Sequence, residues 1–119
     1  MRRIDYKGKR IKRSLVKCND VFKAYDDIQN ALADLLDNDP SIIEIKCNVL
    51  LEDHSIGDYT TDFVCTKDDG TIMVRECVFR KVLLRPKTVT LLDFSQHYWF
   101  QRGVTDWKVV IEREEKSNH

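Results

Sequence analysis

The sequence predicts a small single α/β domain, a central mixed β-sheet flanked by helices. Three observations carry that expectation. An apolar stripe at helical spacing leads into an alternating, strand-length run. Two further alternating runs are joined by Lys67-Asp68-Asp69-Gly70, which is turn chemistry. A second helical stretch then leads into a last strand. A strand followed by a helix and another strand implies a crossover, so part of the sheet is expected to be parallel. At 119 residues the chain is long enough for one core.

The first helix is expected within CNDVFKAYDDIQNALADLLDNDP, where Asn19 or Asp20 can cap the start. Val21, Tyr25, Ile28, Leu32, Leu35 and Leu36 form its apolar stripe, and Pro40 marks its end. SIIEIKCNVLL follows as a strand in which Ile43, Ile45, Cys47 and Val49 alternate with their neighbours. The hairpin strands are expected over 61–66 and 72–79. After Pro86, KTVTLLDFSQHYWFQRG reads as the second helix, with Val89, Leu92, Phe94, Tyr98 and Trp99 as its apolar material and Gly103 as its stop. VTDWKVVIE is the last strand. Residues 1–17 read as a basic arm, 18–114 as the domain and 115–119 as a frayed tail.

Composition excludes little. The chain is 42% hydrophobic and 34% charged, and its 20 basic and 20 acidic residues cancel. The basic residues are nevertheless clustered. Arg2, Arg3, Lys7, Lys9, Arg10, Lys12 and Arg13 stand near a single acid, Asp5. Such an arm is either a DNA-binding element lying along phosphates or a solvated terminus. No apolar run has the length of a membrane span and no signal-peptide pattern opens the chain, so a cytoplasmic location and no membrane partner are expected. Cys18, Cys47, Cys65 and Cys77 are unevenly spaced without a C-x-x-C, so reduced thiols are expected rather than a structural zinc site.

One constellation carries chemistry. With the turn centred near Asp69, residues whose numbers sum to about 138 face each other, which sets Asp62 opposite Glu76. Like charges across a sheet are destabilising unless water, a shared proton, a base or a divalent cation offsets them. Two readings are open. The pair is a Mg²⁺ or Mn²⁺ site, or it lies on a solvated hairpin face with Arg75 or Arg80 as counter-ion.

The landmarks LLDNDPSIIEI, TTDFV, VRECVF and YWFQRGVTDWKVV, in this order, resemble the N-terminal domain of TnsA-like transposase endonucleases, over roughly residues 28 to 114. That resemblance implies the restriction-endonuclease-like fold and a metal-dependent DNA endonuclease site. Such a site has a helix glutamate, a hairpin aspartate, and an acid or glutamine followed two residues later by lysine. Asp62 and Glu76 match the two hairpin positions as metal ligands. Gln29 stands at the helix position as a weak metal ligand through its amide oxygen, without charge, and Val78 stands at the lysine position. Lys81, near the strand end, is the candidate for a relocated lysine, with a catalytic role beside Asp62 and Glu76. Magnesium or manganese is the implied cofactor.

Two functions follow from the resemblance. One is a Mg-dependent endonuclease subunit of a mobile element or phage with weakened or lost cleavage. The other is a catalytically inactive binding module, inhibitor or adaptor on a nuclease or transposase complex. DNA, a protein partner of such a complex and a second copy of the chain are the partners considered. His54 and His97 are further candidate ligands or bases, and Tyr98, Trp99 and Trp107 are candidate base-stacking residues. All five are also ordinary surface or core positions.

Overall fold

The computed structural model describes residues 11–51 and 59–113. They form a mixed four-stranded sheet, two helices and a separate two-stranded ribbon. The ribbon pairs β1 (Ile11–Arg13) with β2 (Phe22–Ala24) in antiparallel fashion. Helix α1 (Asp27–Asp37) follows, then β3 (Ile42–Leu51), β4 (Tyr59–Lys67) and β5 (Ile72–Cys77). A 3-10 turn (Arg80–Val82) and helix α2 (Pro86–Gln101) lead to β6 (Asp106–Val110). The sheet order is β3-β4-β5-β6, antiparallel throughout except that β6 runs parallel to β5 after the α2 crossover.

The cap of the first helix lies seven residues beyond the first candidate. Asp26, not Asn19 or Asp20, is the N-cap, and its carboxylate accepts from Gln29 N at 2.7 Å. Val21 and Tyr25 therefore lie off the helix. Phe22 and Ala24 instead point into the core from a short strand, with Lys23 between them exposed. Such short runs are stabilised by their mutual pairing and by burial of Phe22 and Ala24. On α1 itself, Ile28, Ala33 and Leu36 face inward and Leu35 is exposed.

The basic arm is shorter than residues 1–17. Ile11–Arg13 is strand, Leu15 is buried in the core, and Val16 N and Lys17 N both donate to the Asp37 carboxylate at the end of α1. The domain thus begins by Ile11. Arg13 is tied to α1 through Asn30 Oδ1 at 3.1 Å and an ion pair with Asp34.

The hairpin register is the one expected: Phe63 faces Arg75, Val64 faces Val74 and Cys65 faces Met73. Gly70, at φ 86°, closes the turn through Gly70 N to Lys67 O at 2.9 Å. The second hairpin strand stops at Cys77 rather than Phe79, although Val78 N still donates to Val110 O. Helix α2 starts with Pro86 in its first turn and ends in a Schellman motif. Val104 N reaches Trp99 O and Gly103 N reaches Phe100 O, with Gly103 at φ 82°. Its inward residues are Thr88, Leu91, Leu92 and Ser95; Val89 faces out.

Two apolar clusters pack separately, one under α1 and one under α2. The larger packs Ile28, Ala33 and Leu36 of α1 and Phe22 of β2 against Ile45, Phe63, Cys65, Met73 and Cys77. The smaller packs Leu91 of α2, with Phe94, Tyr98 and Trp99, against Leu51 and Tyr59. Tyr59 and Thr61 have the same parity along β4 as Phe63 and Cys65, yet they serve the α2 side. Strands β3 and β4 therefore exchange faces between Cys47 and Val49 and between Thr61 and Phe63. The exchange sits at Asn48, whose φ of 52° breaks the pleat, and at Asp62 across from it. The simple alternation expected for the strand at 42–51 stops there. It is also interrupted by a register shift between Ile42 and Glu44, which turns Ile42 inward and leaves Ile43 exposed.

Candidate functional site

Asp62 and Glu76 meet at the end of the β4–β5 pairing, and both are fully buried. The solvated-face reading of the hairpin acids is therefore overturned. Regular pairing ends at Phe63 and Arg75. Beyond it, the carboxylates bridge the strands. Asp62 N donates to Glu76 Oε1 at 3.0 Å, and Cys77 N donates to Asp62 Oδ2 at 2.7 Å. Each acid accepts a backbone N–H from the other's strand, in place of a carbonyl.

The other oxygen of Glu76 sits among hydroxyls. Oε2 accepts from Tyr59 Oη at 2.8 Å, Thr61 Oγ1 at 3.1 Å and Ser95 Oγ at 2.5 Å. Two indoles orient this set. Trp99 Nε1 donates to Thr61 Oγ1 at 3.0 Å, and Trp107 Nε1 donates to Ser95 Oγ at 2.9 Å. An indole can only donate, so each hydroxyl oxygen accepts there and turns its single proton toward the carboxylate. The result is a closed network joining β4, β5, α2 and the start of β6.

Burial raises the pKa of Glu76 above the usual carboxylate range, and the neighbouring Asp62 charge adds to that. Burial likewise raises the Tyr59 phenol, followed by the Glu76 charge beside it. The N–H edges of the two indoles are committed to Thr61 and Ser95, and both rings are half-buried.

Gln29 is also fully buried. Its Oε1 accepts from Tyr25 N at 2.9 Å and its Nε2 donates to Asn48 Oδ1 at 2.7 Å. Asn48 Nδ2 in turn donates to Lys23 O at 2.9 Å. Asn48 falls opposite Asp62, between the pairs Cys47–Phe63 and Val49–Thr61. Gln29, Asn48, Asp62 and Glu76 consequently form a polar row from α1 across β3 and β4 to β5. Three of those four residues are the metal candidates of the sequence reading.

The cationic candidates lie elsewhere. Val78, at the lysine position, is buried, and Lys81 is exposed on the 3-10 turn beyond the strand. Neither Arg75 nor Arg80 is the counter-ion of the pair. Arg75 Nη1 bonds Asp106 Oδ1 at 2.9 Å, and Arg80 bonds the backbone and, through its own N–H, the carboxylate of Glu112. His97 is exposed, its ring nitrogen against Asp93 O, and His54 lies outside the described residues. Arg2, Arg3, Lys7, Lys9 and Arg10 also lie outside them, whereas Lys12 is exposed on β1. Among the described residues, no group of three His, Cys, Asp or Glu side chains is placed to hold a metal ion.

Tyr59, Thr61, Ser95 and Asn48 were not singled out by sequence. The available signal was polarity on a buried helical face: Thr88 and Ser95 share the inward stripe with Leu91 and Leu92. Comparison of the chain with known protein families and with curated proteins returns no match.

Proposed function

We propose that this chain is a catalytically inactive relative of the TnsA-like endonucleases that works as a nucleic-acid-binding module. In this reading its acidic hairpin serves as a structural lock. The observation that carries it is the environment of Glu76. One carboxylate oxygen accepts three hydroxyl protons and the other a backbone N–H. Mg²⁺ requires near-octahedral oxygen donors and keeps several waters. A cation at Glu76 Oε2 would have to displace oriented O–H donors inside a closed core. The exposed place of Lys81 and the buried Val78 support the same reading, because neither sets a cation beside a phosphate at the acids.

Binding in this reading falls to the basic arm, of which Arg2, Arg3, Lys7, Lys9 and Arg10 precede the described domain. The test has two arms. Supercoiled DNA incubated with Mg²⁺ or Mn²⁺ is expected to stay intact, and calorimetry with Mn²⁺ is expected to show no binding that Asp62→Asn removes. DNA affinity is expected to fall by about 10²–10³ between roughly 50 and 200 mM salt, and to be lost on deleting residues 1–10. Nicking that depends on Asp62 would overturn the inactive reading, and salt-independent affinity would overturn the nucleic-acid partner.

A second reading, a divergent metal-dependent endonuclease using Asp62, Glu76 and Lys81, is favoured by one observation. The row from Gln29 to Glu76 holds the helix and hairpin candidates in the order a nuclease site would need. It requires Lys81→Ala to reduce cleavage as Asp62→Asn does.

A further inference from the structure

We propose that Cys18 and Cys47 are a reversible thiol pair, closed to a disulfide by a peroxide. Closure fastens the 14–21 connection to the outer edge of β3. Cys18 lies in the loop between β1 and β2, and Cys47 on the edge strand of the sheet. Both side chains pack against the same apolar cluster, and Cys18 lies close enough to Cys47 to help burial raise its thiol pKa. Backbone geometry fixes this approach independently: Ile45 N donates to Lys17 O at 2.9 Å, which pins the residue before Cys18 beside β3. Both cysteines are half-buried and line one groove of about 440 Å³, with Lys23, Glu44 and Asn48 along the same walls. A groove of that size admits a small oxidant. Cys65 and Cys77, by contrast, are sealed in the larger apolar cluster.

The chemistry balances with hydrogen peroxide as the oxidant. The Cys18 thiolate attacks one peroxide oxygen, giving a sulfenic acid and, after protonation, one water. Cys47 sulfur then attacks the Cys18 sulfur, the S–S bond forms and a second water leaves. Two thiol protons and two electrons pass to the peroxide in all. Burial pushes the Cys47 thiol up, which suits it to the second, resolving step rather than the first. A dithiol restores the reduced pair by exchange.

The link matters because of what adjoins it. Cys47 immediately precedes Asn48, which bonds both Gln29 and Lys23 O and faces Asp62. Cys18 continues from the segment that carries the basic arm. Closing the pair clamps the arm's attachment point to the strand that holds the polar row.

The experiment uses the full chain. After peroxide treatment, mass spectrometry is expected to show a loss of about 2 Da, reversed by dithiothreitol. Non-reducing digestion is expected to yield a Cys18–Cys47 cross-link, with fragmentation distinguishing Cys47 from Cys65. Tm is expected to rise by about 5–10 °C on oxidation, because the closed loop is long, and C18S is expected to abolish both changes. C65S is expected to leave them unchanged. Oxidation that runs to sulfinic acid without a cross-link, or a cross-link between chains, would overturn the proposal. So would a Cys47–Cys65 link in place of Cys18–Cys47.

Discussion

The two ends of one hairpin hold acids in opposite ways. At the turn end, Asp106 of β6 meets Arg75 at 2.9 Å and Lys67 at 3.5 Å, with about a third of its side chain exposed. Burial opposes its charge, but the Arg75 hydrogen bond and the two cations together lower its pKa. At the other end, Glu76 has no described cation beside it, and its pKa is raised. The first acid is held by charge and tolerates water. The second is held by hydroxyls and excludes it. The lesson is that burial with neutral donors keeps an acid in place geometrically while weakening its ionised form, which is a structural use of a carboxylate.

The largest expected effect breaks the hydroxyl end. Glu76→Ala leaves Tyr59, Thr61, Ser95 and Asp62 N without their acceptor, and the loss of stability is expected to be about 3–5 kcal/mol by urea unfolding. Should that variant fail to fold, Glu76→Gln keeps the shape and one of the two acceptor oxygens and is expected to cost about 1–2 kcal/mol. An unchanged midpoint for both variants would refute the lock.

Next is the pH dependence, where the two ends have opposite signs. A raised carboxylate pKa means the folded chain binds the Glu76 proton more tightly than the unfolded chain. Its contribution is therefore present below the ordinary value of 4.5 and lost as pH rises toward the higher folded value. Asp106 is the reverse: its contribution is present above 3.8 and lost as pH falls through its lowered value. Unfolding free energy measured from pH 3 to 8 is expected to lose the first slope in Glu76→Gln and the second in Asp106→Asn.

The smallest effect is at the turn end. Asp106→Asn near neutral pH is expected to cost less than about 1 kcal/mol, since the pair is partly exposed and screened, and the cost is expected to shrink in salt. A cost equal to that of Glu76→Gln, insensitive to salt, would erase the contrast between the ends.

Much of this frame was legible in the sequence. Lys67-Asp68-Asp69-Gly70 set the hairpin register, and that register alone placed Asp62 against Glu76. Pro86 and Gly103 bracketed α2 because each acts through local backbone geometry. The start of α1 was not legible, since Asp20 and Asp26 are equally good caps and only the pairing of Phe22 with Arg13 decides between them. Nor was the environment of Glu76. It depends on the exchange of faces at Asn48, which leaves no local pattern, and on where the expected crossover sets Ser95 and Trp107 beside β5, which strand-helix-strand order does not specify. Strand alternation left the acids either on a solvated face or at a metal, and gave no sign of the hydroxyls that bury Glu76.

The exchange of faces at Asn48 has a mechanical consequence. Strands β3 and β4 are gripped from one side by α1 over one half and from the other side by α2 over the other half. Such a ribbon has a built-in seam. Amide hydrogens of Leu51 and Tyr59 can become exchangeable when α2 lifts, while those of Ile45 and Cys65 stay protected under α1. Two separately exchanging halves of a single sheet are therefore expected by hydrogen exchange, with Glu76, bonded to both β4 and α2, as the rivet across the seam.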